Sequence, residues 1–429
     1  MPQRPVMPLW AGRTLALLGI LLVALNLRTA VTAISPIAVQ ISSDIPLDNL
    51  GLSVIGTLPP LAFALAGIFG ASIARRIGLE RFLILAAVAM VIGHLLRALA
   101  GEFPVLFLGS VLAFSGMGVG NIVLPPLVKK YFPDRIGVVT AAYVTIMALG
   151  ATSPAVLAAP VAHAAGWRVS VGVWALVAFL GLLPWIGMVL QNRRDSAALA
   201  LTADLDGPTA LLVPRSRMVH GIWHSRTAWV VAIVFSVTSF NAYSMFAWMP
   251  AILITTAEQT PVQAGALLGY YSALGIPLAL LAPVLAARMK NIGLIIELGA
   301  ALLVAGNLGL MLAPAAAPWL WVTSVGCGQV IFPVCLVLIN LRARTQIGSV
   351  TLSGFSQGVS YTIAATGPLM IGLLFDWTGS WTGGLSLLLI SAIVVAIGGH
   401  LLRKPRFVED DLHKWAQRRS PGDRLAQPS

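Results

Sequence analysis

Twelve long apolar runs decide what this chain can fold into. They lie near residues 14–38, 51–74, 82–101, 105–127, 137–160, 168–190, 227–255, 262–286, 293–312, 317–340, 350–374 and 383–402. A helix that crosses a bilayer needs roughly 20 mostly apolar residues, and every run reaches that length. A soluble domain carries about 25% charged residues. Here charged residues are 10% and hydrophobic ones 58%, so the chain could not cover a water-facing surface. That excludes a soluble enzyme, a disordered chain and a nucleic-acid binder. A membrane β-barrel would alternate polar and apolar residues over roughly 10-residue strands. Runs such as FLILAAVAMVIG and LSLLLISAIVVAIGG do not alternate. The expected fold is therefore all-α and integral to a membrane. The first run contains LALLGILLVAL, the length of a signal-peptide core. Its apolar stretch continues past Asn26 and Arg28 through AVTAISPIAV, so it reads as a retained helix.

Charge orients the spans. With the N-terminus inside, 24 of the 27 Lys and Arg residues fall in inner segments or the two ends of the chain. The outer hairpins hold Asp44, Asp48, Glu102, Glu258 and Asp376. This positive-inside pattern places both termini in the cytoplasm and accounts for the net charge of +12 without a nucleic-acid partner. Ten of the eleven connections are short. The exception, 191–226, carries Arg193, Arg194, Arg215, Arg217 and Arg226. It divides the chain into a six-helix bundle (1–190), a cytoplasmic linker (191–226), a second bundle (227–402) and a cytoplasmic tail (403–429), where Arg403, Lys404 and Arg406 suit anionic lipid. Cys327 and Cys335 share one apolar run and read as packing residues.

The two bundles repeat each other. Gly118-Val-Gly120-Asn121-Ile-Val-Leu-Pro125 in the fourth run returns as Gly326-Cys-Gly328-Gln329-Val-Ile-Phe-Pro333 in the tenth, 208 residues later, and Pro160 meets Pro368 at the same offset. Six spans per half make the copies parallel, related by an axis along the membrane normal. Two such halves enclose a cavity near the midplane and expose it to alternate sides by rocking.

Polar groups within the runs mark that cavity. Arg28 lies 15 positions past Arg13, roughly 22 Å along a helix, and an arginine at helix centre costs about 2.5–3.5 kcal/mol on insertion scales. Of 15 acidic residues only Glu297 lies in an apolar run, near its inner end. A deep cation without a carboxylate faces water or a ligand, and the guanidinium fork suits carboxylate or cyanate-like groups. The bland alternative is a structural arginine bonded to backbone carbonyls and Asn26. Asn121 and Gln329, each after a G-x-G and before a proline, read either as paired cavity contacts or as interhelical glue. Asn241, Tyr243 and Trp248 in the seventh run divide the same way, as do Gln357 and Tyr361 in the eleventh and Tyr143 in the fifth. His94 reads as packed rather than proton-carrying. Arg97 is expected to reach the outer interface near Glu102. No H-E-x-x-H, Walker A, C-x-x-C or G-x-S-x-G chemistry is present, and no metal or cofactor is expected.

The arrangement resembles the major facilitator superfamily. Gly70-Ala-Ser-Ile-Ala74-Arg75-Arg76-Ile-Gly78-Leu-Glu-Arg81 is similar to its gating motif between the second and third spans, with Ala74 where the family has an aspartate. Closer likeness is to the branch of cyanate and nitroimidazole transporters (CynX/NimT). The cues are Leu25-Asn26-Leu27-Arg28, the Gly118 to Lys130 segment, and the eleventh run from Leu352 to Tyr361 and on to Gly367-Pro368 and Phe375-Asp376-Trp377. The resemblance implies ATP-independent movement of a small polar or anionic solute across a bacterial inner membrane, by a monomer, with protons a candidate coupling partner. Efflux of a neutral aromatic compound is the competing transport expectation. A membrane-embedded enzyme would need clustered His, Asp or Glu near one face, and the six histidines are scattered.

Overall fold

The computed structural model describes residues 13–132, 134–199, 221–289 and 291–419. Among them, twelve helical spans are long and apolar enough to cross a membrane: Thr14–Ser42, Asn49–Gly70, Leu79–Ala98, Phe103–Val128, Val138–Ala165, Trp167–Leu190, Arg226–Thr256, Pro261–Leu281, Gly293–Leu312, Pro318–Ile339, Thr351–Thr378 and Thr382–Leu402. No strand occurs among the described residues. An even number of crossings puts both described chain ends on one side, the terminal face; the opposite side is the hairpin face.

Local chemistry sets the helix ends. Asp48 accepts from the Gly51 amide at 2.7 Å to start the second span. Thr260 and Gln263 form a reciprocal capping box at the eighth; such caps satisfy amides that a helix leaves unpaired. Gly78 and Gly166, at φ +88° and +87°, turn the chain directly from the second span into the third and from the fifth into the sixth. Only glycine takes that backbone region without strain.

Two spans are broken. The first stops at Asn26 and resumes at Thr29, with i→i−3 bonds from Leu27 to Ala24 and from Val31 to Arg28. The Thr29 hydroxyl donates to the Asn26 carbonyl at 3.0 Å and takes up an acceptor that the break releases. The tenth breaks at Gln329-Val330. Such breaks survive inside a bilayer only where protein or a cavity satisfies the freed backbone.

One region differs from expectation. The sixth helix continues to Leu199, into the stretch expected to be loop; QNRRDSAAL is polar but composed mainly of good helix formers, so leaving the apolar region does not end it. Residues 200–220, with Arg215 and Arg217, lie outside the described residues, as does Arg4. The tail carries a helix, Val408–Arg419, which packs on the terminal face. There Asp411 accepts from the Thr227 amide at 2.9 Å and Trp415 stacks on His224 at 4.6 Å.

Candidate functional site

The halves meet along two helix pairs, the second span against the eleventh and the fifth against the eighth. Toward the hairpin face this seam is shut. A Cβ added at Gly56 would lie 2.9 Å from the Ala247 Cβ and 3.0 Å from the Pro368 Cβ. One added at Gly265 would lie 2.6 Å from the Ala155 carbonyl oxygen. Polar bonds cross the same region: Ser35 donates to the Ala247 carbonyl at 2.7 Å, and Asn49 donates to Asp376 at 2.7 Å. Toward the terminal face the seam parts. Gly67, Gly354 and Gly358 have nothing within 4 Å of an added Cβ, and a cavity of about 580 Å³ lies between the halves.

Arg28 lines that cavity, placed there by the break in its own span. Its Nη1 donates to the Tyr243 hydroxyl at 3.2 Å, and its Cζ stands 4.8 Å from the centre of the Phe63 ring. Tyr361 lies 5.9 Å from Phe63 at 80° and also approaches the guanidinium. Arg28 and Phe63 belong to the first half, Tyr243 and Tyr361 to the second, so the cluster joins the two. Arg28 enters no ion pair among the described residues. A guanidinium over a ring face gains some cation–π energy, but its five donors are not exhausted by one phenol.

Asn121, Tyr143, Gln357 and Tyr361 also line the cavity. The Asn121 amide nitrogen is held by the Met117 carbonyl at 2.9 Å, and that of Gln357 by Ser353 at 2.8 Å. The other named residues lie elsewhere. Asn26 is buried and donates to the Trp174 carbonyl at 3.2 Å, tying the first span to the sixth. Asn241 donates to Ser391 at 2.8 Å, tying the seventh to the twelfth. Trp248 donates to the Pro368 carbonyl at 2.8 Å within the shut end of the seam. Gln329 sits beside the Tyr271 hydroxyl rather than across the cavity from Asn121, because the break in the tenth span turns it toward the eighth. In the first three, pairing with protein groups prevails over exposure to the cavity; the Gln329 Nε2 is buried without a hydrogen-bond partner.

Arg97 corrects an expectation outright. It does not reach the interface near Glu102; it is 0% exposed, donates to the Ala30 carbonyl at 3.3 Å and faces the Phe114 ring at 5.8 Å. The third helix leans its last turn into the bundle, and the exposed Glu102 stays outside. His94, one turn earlier, is equally buried.

Of the gating segment, Gly70 is buried 3.4 Å (as an added Cβ) from Ile122, Gly78 makes the turn, and Arg76 and Arg81 are exposed. Arg75 lies outside the residues whose side chains are described. Glu80 was not singled out in the sequence. It accepts from Tyr131 at 2.7 Å and pairs with Lys130, a carboxylate brace from the third helix to the end of the fourth. Phe63 was also missed, because one more aromatic in an apolar run carries no signal of its own.

Two six-helix halves around one cavity, shut at one end and open at the other, define a carrier-type membrane transporter. The chain belongs to the Major Facilitator Superfamily, whose family model matches residues 16–351. Within it the chain falls in the branch of the 2-nitroimidazole and cyanate transporters. It is 32% identical over 91% of its length to the uncharacterized transporter YycB of Bacillus subtilis (strain 168), covering 94% of that protein. It is 31% identical over 90% of its length to the 2-nitroimidazole transporter of Escherichia coli (strain K12), covering 95% of it. The cyanate transport protein CynX of the same organism is 24% identical over 85% of this chain and 91% of its own. In fold the chain is similar to a bacterial homolog of the human lysosomal transporter Spinster, with a TM-score of 0.71 at 16% identity over 95% of this chain and 99% of that one.

Proposed function

We propose that the chain carries a small, flat, anionic or strongly polar solute, such as a cyanate-like ion, a small carboxylate or a nitro-heterocycle, by rocker-switch alternating access. The observation that carries this reading is Arg28: a cation lining the cavity of about 580 Å³ between the halves and lacking a carboxylate partner among the described residues. A bound anion supplies the missing charge, and the planar fork orients it. Phe63, Tyr243 and Tyr361 give the flat walls; Asn121, Gln357 and Tyr143 offer polar contacts below. The relatives named for 2-nitroimidazole and cyanate support a solute of this size and polarity.

The positive-inside pattern supports a cytoplasmic terminal face, and the bacterial relatives support an inner membrane. The parted end of the seam is then the inward-open state, and the Gly56, Ser35 and Asn49 contacts form the outer gate. Because Arg28 bonds to Tyr243 of the other half, a solute that competes for the guanidinium also loosens a link between the halves. Occupancy and rocking are thereby coupled. Efflux of a neutral aromatic compound is the second reading, favoured by the three rings around the cavity apex.

Purified protein in proteoliposomes, offered small anions, amides and nitro-heterocycles with and without a pH gradient, tests both. Saturable uptake of anions that Arg28→Ala removes is the expected result. Uptake of neutral aromatics alone, unchanged in Arg28→Ala, rejects the anion reading.

A further inference from the structure

A second cavity, of about 460 Å³, lies away from the transport pathway, at the terminal-face ends of the seventh, tenth and twelfth spans. Its lining is lopsided. Arg226, Arg342, Lys404 and Arg406 stand over a floor that includes Val230 and Leu401. None of these four cations pairs with a carboxylate among the described residues. The nearby acids are engaged: Glu297 holds Arg403, Asp410 holds Arg344, and Asp411 caps the seventh span through Ser225 and Thr227.

Arg342 makes this more than a basic surface. It is only 5% exposed yet lines the cleft; one guanidinium nitrogen donates to the Leu402 carbonyl and its buried Nε has no partner. A buried guanidinium with no countercharge is costly, and a ligand anion relieves that cost. Burial also pulls the Arg342 pKa below its ordinary value, which an anion would reverse. The cleft sits at interfacial depth. The apolar spans end here, and Trp223, 58% exposed, stands three residues before Arg226, a position where tryptophan gathers at headgroup level.

We propose that this cleft is a site for an anionic phospholipid, its phosphate held by Arg342 with Arg226, Lys404 and Arg406, and its acyl chain lying along Val230 and Leu401. Basic pockets between membrane helices suit such headgroups. Arg342 follows the tenth span, and its carbonyl accepts from the Val408 amide at the start of the tail helix. Lipid bound here would thus brace the tail against the second half. The site does not depend on what the central cavity carries.

The test uses the full-length protein in detergent and native mass spectrometry. The probes are phosphatidylglycerol, phosphatidylcholine with the same acyl chains, and inorganic phosphate as competitor. Phosphatidylglycerol should be retained over phosphatidylcholine, and each neutralised cation should weaken it about fivefold, from about 1 kcal/mol per basic residue. Lys404→Gln with Arg406→Gln carries the test if Arg342→Gln fails to fold. Equal retention of the two lipids, an unchanged preference in the double variant, or displacement of the lipid by equimolar inorganic phosphate would each overturn the site.

Discussion

The two ends of the seam between the halves are built from the same helices and behave oppositely. At the hairpin face, small residues let the second and eleventh spans touch: Gly56 meets Ala247 and Pro368, and Gly372 meets Ser53 and Trp248. At the terminal face the same two spans carry Gly67, Gly354 and Gly358, and these touch nothing. Small residues promote close helix approach in lipid, so both ends are able to close, and only one is closed. A seam with glycine at both ends is what alternating access requires, because each gate has to seal in turn. Between the ends lies the Arg28 cluster, the point about which the asymmetry is arranged.

Removing the pivot gives the largest effect. Arg28→Ala should lower the apparent affinity for an anionic solute by about 30-fold or more, since truncating one member of a buried charge pair costs about 2 kcal/mol upward. Arg28→Lys keeps the charge and loses the fork, and should recover only part of it. Binding to the purified protein by calorimetry separates this from poor expression. If both variants bind as the parent does, the cluster is structural glue.

Next comes a wedge in the shut end. Gly56→Leu forces a side chain against Ala247 and Pro368, and overpacking of this kind costs about 1–3 kcal/mol. That corresponds to roughly a five- to 150-fold loss of the state closed at the hairpin face. A cysteine placed at Ser35 should become reactive to a membrane-impermeant thiol reagent in Gly56→Leu. Gly354→Leu, at the parted end, should leave that reactivity low and instead hinder closure on the terminal side. Identical behaviour of the two variants would erase the distinction between the ends.

How legible this was in the sequence varies along the chain. The twelve spans could be read because each is written over twenty or more residues, and the 208-residue repeat is what suggested two halves. That Arg28 lines a cavity was expected from counting along its run. Its surroundings were not: the Phe63 ring 4.8 Å from its Cζ belongs to another span, which no local pattern encodes. The breaks at Leu27-Arg28 and Gln329-Val330 were hidden inside uninterrupted apolar runs. Asn121 and Gln329 looked equivalent, yet only the tenth span breaks, and that rotates Gln329 away. Arg97 was misjudged because a basic residue at a helix end usually snorkels outward; here its helix end is packed, and a carbonyl and a ring take its place.

A smaller effect belongs to the polar latch of the shut end. Asp376 is exposed and Asn49 half-buried at the hairpin face, and a typical net hydrogen bond is worth about 0.5–1.5 kcal/mol. Asn49→Ala should therefore raise Ser35→Cys reactivity by only about two- to tenfold, well short of Gly56→Leu. A latch effect equal to the wedge would mean that polar bonds, not helix contact, hold this gate.

The smallest expected effect is that of pH on the braces at either end. Asp134 at the terminal face accepts from Arg13 at 2.5 and 3.1 Å, and that hydrogen bond holds its carboxyl below the ordinary 3.8. Asp44 at the hairpin face accepts from Trp167 at 2.9 Å and from Arg168, and is lowered in the same way. A carboxylate whose folded pKa is depressed contributes stability that is complete above its unfolded value and is lost as pH falls through the lower, folded one. Both braces are thus intact from pH 5 to pH 8 and fail only below about 4. Ser35→Cys reactivity, measured without solute across pH 5–8, should stay flat. A transport rate that changes over the same window then owes its pH dependence to the solute or to a group other than these two aspartates. A gate that opens without solute between pH 5 and 8 would instead place a proton switch in the seam itself.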